Sequence, residues 1–147
     1  MKLIANGWVW RGDRTGRERR PENILIDGDR IVAIGPGLAP EGAEVIDASG
    51  MLVMPGLVNA HFHSPVNHMK GRLPSLPLEL FMLYESPSLE VLRPTPREAY
   101  VRTLLACMEM LRTGVTAVQD DAFFVPYPTP GIIDAVAQAY EDCGIRA

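Results

Sequence analysis

The hydrophobic pattern of this chain changes period once. Up to about residue 54 it runs in short apolar, mostly β-branched groups: Leu3-Ile4-Ala5, Val9-Trp10, Asn23-Ile24-Leu25-Ile26, Ile31-Val32-Ala33-Ile34, Val45-Ile46-Asp47 and Leu52-Val53-Met54. Asp27-Gly28-Asp29 between two of these groups predicts a tight hairpin, closed off by Gly35-Pro36-Gly37. Residues 1–54 are therefore expected to form a small β module without a long helix.

From Thr95 the spacing becomes helical. Thr95-Pro96-Arg97-Glu98 is a capping box with proline at the first helical position, and Val101, Leu104, Leu105, Met108 and Leu111 follow as one apolar face. Gly114 stops that helix, and Val115-Thr116-Ala117-Val118-Gln119 reads as a strand. A second helix opens at Thr129-Pro130, with Ile133, Val136, Ala137 and Tyr140 on one face, and ends at Gly144 before a further strand begins at Ile145. A β-α-β-α-β succession predicts a parallel sheet. Between the two regimes, Ser64 to Pro94 holds prolines 65, 74, 77, 87 and 94 and shows little periodicity, the signature of a long functional loop. Glu79 and Glu85 in that loop read as solvated. Cys107, Met108 and Met110 read as core packing.

At the junction stands Met54-Pro55-Gly56-Leu57-Val58-Asn59-Ala60-His61-Phe62-His63, with two of the chain's three histidines two residues apart. On a strand, residues i and i+2 share a face, so both imidazoles can converge on one ion. Val58, Ala60 and Phe62 would then lie under helices while Leu57, Asn59, His61 and His63 look inward. The competing reading is a pair of satisfied core histidines. His68, five residues on, is open to three roles: a third ligand, a substrate contact or a solvated loop histidine. Asp120 and Asp121 follow the second strand at the same rim and are open to a substrate-facing role or to turn and capping duty. Asn59 reads as a hydrogen-bonded interior residue.

The bulk properties narrow the partners. A net charge of −4 and a pI near 5.3 provide no field for nucleic acid or an anionic membrane, and the Arg11–Arg20 cluster reads as a solvated hairpin tip. No stretch approaches a membrane span or a signal-peptide core. Cys107 and Cys143 lack any zinc or disulfide spacing, which makes a reducing, cytoplasmic setting the expectation.

The decamer 54–63, with Pro-Gly ahead of the strand and Asn59 two residues before the first histidine, resembles the first-strand signature of the amidohydrolase superfamily. These are metal-dependent hydrolases on a (β/α)8 barrel. The likeness is closest to the deaminase and triazine-hydrolase branch, which acts on aminated or halogenated purines, pyrimidines and triazines. It implies that His61 and His63 bind one divalent metal, zinc ahead of iron, and that metal-activated water hydrolyses a C–N or C–Cl bond of a small heteroaromatic substrate. It also implies that residues 1–54 belong to a β-sandwich flanking the barrel, and that 55–147 are the first strand-helix units of that barrel.

Further family ligands come from strands five, six and eight, and this chain has no histidine after His68. An eight-unit barrel takes ~250 residues. The chain is thus expected to be the N-terminal portion of a larger enzyme, compatible with a homo-oligomer, and by itself weakly metal-binding and inactive. Two other readings stand beside this one: a non-catalytic packing fragment, and a self-contained site of His61, His63 and His68.

Overall fold

The computed structural model describes residues 1–12, 20–85, 89 and 92–147, which fall into two compact units, Met1–Pro55 and Gly56–Ala147. Most of the basic Arg11–Arg20 cluster lies outside the described residues. No helix among those described is long and apolar enough to cross a membrane.

In the first unit, β1 (Lys2–Val9) is the organising strand. It pairs antiparallel with β2 (Glu22–Asp27), which turns through the expected hairpin into β3 (Arg30–Gly35). It also pairs parallel with β4 (Glu44–Asp47) and β5 (Leu52–Val53), giving one mixed five-stranded sheet. The two groups Leu3-Ile4-Ala5 and Val9-Trp10, separate in the sequence pattern, are largely one continuous strand. Between Ile4 and Gly7 the register shifts, and Asn6 there takes φ 63°, a left-handed value that asparagine tolerates. The Asn6 N–H, thrown out of the ladder, donates to Asn23 Oδ1 at 2.8 Å. Leu3, Ala5, Ile24 and Ala48 are buried in this unit. The resemblance implies a two-sheet sandwich; the described strands make a single sheet.

The second unit alternates strand and helix. Its elements are β6 (Leu57–Phe62), a 3₁₀ turn (Ser64–Met69), α1 (Leu78–Glu85), α2 (Pro96–Arg112), β7 (Val115–Asp120) and α3 (Pro130–Cys143). β6 and β7 are parallel, and Arg146 bridges parallel to Ala117 on the other side of β7. The capping box forms as expected: Glu98 N–H donates to Thr95 Oγ1 at 3.2 Å and Thr95 N–H donates to Glu98 Oε2 at 2.7 Å. α3 ends at Gly144 in the left-handed conformation, φ 74°.

Three sequence expectations change here. The Ser64–Pro94 segment holds a 3₁₀ turn and α1, whose Leu78, Leu83 and Tyr84 are exposed, so no apolar stripe marked it as a helix. α2 buries its small-residue face, Ala99, Thr103, Ala106, Cys107 and Met110, against α3 and the core. The face of Val101, Leu105, Met108 and Leu111 is the exposed one. Small side chains let two helix axes approach closely, and this contact outweighs the larger stripe. Likewise α3 buries Ile132, Val136, Ala139 and Tyr140 but exposes Ile133 and Ala137. Ile132, 1% exposed at the centre of the core, contributes about 2–3 kcal/mol by burial.

Candidate metal centre

β6 does not run as a regular strand. Asn59 aligns with Val118 and Phe62 with Asp120, so β6 takes three steps where β7 takes two, an extra-residue bulge in the Ala60–His61 stretch. The His61 N–H is satisfied locally by Asn59 Oδ1 at 3.2 Å. The bulge also corrects the expected facing. The Asn59 amide nitrogen lies 3.9 Å from Met110 Sδ on α2, and Phe62 packs on the same core, while Val58 and Ala60 are exposed.

Across the end of the bulge the two imidazoles meet. His61 Nε2 and His63 Nε2 are 3.2 Å apart, with ring centroids at 5.1 Å and planes crossed at 80°. His63 Nδ1 lies 3.1 Å from the Asp121 carbonyl oxygen and 3.7 Å from its carboxylate. A carbonyl only accepts, so Nδ1 carries the hydrogen and Nε2 presents a lone pair toward His61. The 3.2 Å contact therefore needs either a hydrogen on His61 Nε2 or a cation between the rings. Two nitrogens at ~2.0–2.1 Å from one ion lie about 2.8–3.4 Å apart for angles from square to tetrahedral. The donor set fits a divalent ion as two of its ligands.

Among the described residues, no group of three or more His, Cys, Asp or Glu side chains is arranged to hold an ion. This removes the self-contained three-histidine site. His68 turns Nδ1 onto the Pro65 carbonyl at 3.2 Å, and instead lines a cavity of about 240 Å³ with Tyr84, Glu85, Arg102, Phe123 and Phe124. Partial desolvation first, then the Arg102 charge, lowers its pKa. Glu85, expected in solvent, is 8% exposed on the wall of this cavity.

Asp120 sits behind the pair. Its Oδ1 accepts the Ser64 N–H at 2.9 Å and its Oδ2 accepts the Tyr140 hydroxyl at 2.8 Å. Burial, reinforced by that bond, raises the Tyr140 pKa, so the phenol stays a donor. Tyr140 carried no sequence signal beyond helix-face packing, and the Asp121 carbonyl, being backbone, could carry none.

The paired imidazoles stand at the C-terminal end of a parallel strand, where parallel α/β folds place their chemistry. The chain belongs to the amidohydrolase family, whose profile matches residues 52–147. It is 35% identical over 149 residues to the 5'-deoxyadenosine deaminase of Methanocaldococcus jannaschii, covering 100% of this chain and 31% of that one. Its structure is similar to that of a variant atrazine chlorohydrolase from Arthrobacter aurescens complexed with zinc and atraton, with TM-score 0.85, 31% identity, and coverage of 99% of this chain and 34% of that one. An adenosine deaminase from Xanthomonas campestris with bound zinc gives TM-score 0.77 at 29% identity, covering 99% and 32%. The chain spans about a third of the length of these relatives.

Proposed function

We propose that this chain is the N-terminal portion of a metal-dependent hydrolase, in which His61 and His63 are two ligands of a divalent ion, zinc ahead of iron. In this reading residues 1–54 belong to a β-sandwich module and 55–147 open a (β/α)8 barrel, with the remaining ligands and the acid/base group on later strands. The substrate is a small heteroaromatic ring that loses an amino or chloro group by hydrolysis. The names of the similar proteins, deaminases of adenosine derivatives and a triazine chlorohydrolase, support that class.

When bound, the ion supplies Lewis acidity and lowers the pKa of water toward neutrality. The chain's own residues prepare its place. The Asp121 carbonyl fixes the His63 tautomer, the Asn59 side chain holds the His61 backbone, and Phe123 and Phe124 line the cavity beside His68. His68, kept neutral, offers that cavity a hydrogen-bonding group without charge.

The observation that carries the proposal is the 3.2 Å approach of the two Nε2 atoms with the far side of His63 tied to a carbonyl. Calorimetric titration with zinc chloride tests it: weak binding by this chain, abolished in H61A and H63A. In the full-length protein either substitution is expected to remove deamination or dechlorination. Hydrolysis that survives exhaustive chelation would defeat the proposal.

A further inference from the structure

We propose that Asp120, held by Tyr140, is a positioning residue that sets the orientation of the His63 ring. The inference rests on the reading of His63 as a metal ligand. The turn after β7 grips the end of β6 at three points. Asp121 N–H donates to the Phe62 carbonyl at 2.9 Å, His63 Nδ1–H donates to the Asp121 carbonyl at 3.1 Å, and Ser64 N–H donates to Asp120 Oδ1 at 2.9 Å. The first and third bonds fix the backbone on either side of His63, and the second fixes its ring. Ser64 is fully buried, so its N–H has no water to fall back on.

Tyr140 is what holds the third bond in place. Its hydroxyl reaches Asp120 Oδ2 at 2.8 Å from α3, and the residue is 7% exposed within the core cluster. The packing of α3 thus fixes the carboxylate, the carboxylate fixes the Ser64 backbone, and that backbone aims His63. Each Asp120 oxygen already accepts a protein donor, which fits this role better than a direct hold on substrate.

An amide at position 120 keeps the Ser64 bond but loses the carboxylate charge and reverses the Tyr140 bond. Its oxygen can still accept from Ser64, while its NH2 must face Tyr140, whose hydroxyl can turn to accept. Alanine keeps neither bond. The expected order of damage is D120A first, then D120N and Y140F at a lower level.

The test uses this chain in metal-free form and histidine-selective 15N–1H spectra at alkaline pH, where each neutral ring reports which nitrogen carries the hydrogen. In the wild type His63 is expected as the Nδ1–H form. In D120A it should shift toward the Nε2–H form, while His68, whose Nδ1 is tied to Pro65, stays unchanged as an internal control. A general loss of structure would move both. Zinc chloride affinity should fall ~10–100-fold in D120A and less in D120N and Y140F. If D120A does not fold, the two milder variants carry the test, each with a smaller shift in the same direction. A folded D120A, or D120N together with Y140F, with wild-type His63 tautomer and zinc affinity overturns the proposal. If H63A binds zinc as the wild type does, the ligand reading fails, and the Asp120 inference is then decided by the tautomer alone.

Discussion

Gly56 and Thr116 lie against one another where β6 begins, with no space for another carbon. A Cβ on Gly56 would overlap Thr116 Oγ1 and Cγ2 and stand 2.7 Å from Thr116 Cβ. The close approach follows from β7, whose register against β6 skips at Thr116 between the Leu57–Val115 and Val58–Ala117 pairs. Gly56→Ala is expected to destabilise the second unit by about 1–3 kcal/mol, the usual range for forcing atoms into filled space. Thr116→Gly in the same chain should recover part of that loss. Additive effects of the two changes in thermal melts would show that the contact does not govern stability.

The Thr95–Glu98 capping box sets the start of α2, and Thr95→Ala should cost about 1 kcal/mol. The bonds from Thr95, backbone first, lower the Glu98 pKa. A carboxylate with a depressed folded pKa stabilises above its unfolded pKa and loses that contribution as pH falls through the folded value. The wild type should therefore lose stability below the ordinary glutamate range, ~4.3, more steeply than T95A does. Parallel acid slopes for the two proteins in circular dichroism would contradict this.

His61 is exposed and the His63 side chain is 40% exposed, so neither fills a core position. H61A and H63A should leave the metal-free melting free energy within about 1 kcal/mol of wild type, while removing the stabilisation that added zinc gives the wild type. Core histidines would behave in the opposite way, with a large loss in the absence of metal and no response to zinc.

The depressed pKa of His68 makes a separate prediction with the sign reversed from the usual salt-bridged histidine. The groups around it are Arg102, Glu85, Arg72 and Glu98, with desolvation and Arg102 opposing its protonation most. The folded chain then binds fewer protons than the unfolded one below the ordinary histidine value, ~6.5. Stability is complete above that value and declines as pH falls toward the lowered one. The difference between wild-type and H68N melts should change across this window and be flat above it; a constant difference refutes the assignment.

The features of this fold that were legible in sequence are local ones. The Asp27-Gly28-Asp29 turn, the Thr95 cap and the Gly144 stop each act over a few residues, and all appear where expected. The parts that escaped depend on partners far along the chain. Which face α2 buries is set by α3, so the larger stripe of Val101, Leu105 and Met108 was a misleading guide. The Asp120–Tyr140 and Ser64–Asp120 bonds span 20 and 56 residues, and no periodicity encodes them. The His61–His63 juxtaposition was legible because its spacing of two survives the strand's irregularity, whereas the facing of Asn59, on the other side of the bulge, was not.

That irregularity separates two phases within one strand. Ala60 and His61 stand where β7 offers only Gln119, so one residue of β6 is supernumerary between Asn59 and Phe62. A single-residue deletion at Ala60 should therefore regularise the ladder and leave the histidines in their present relation. A deletion or insertion at Phe62 would put the two rings on opposite faces of the strand. Tolerance to length change in β6 thus ends abruptly at His61, with slack in the chain before it and none between it and His63.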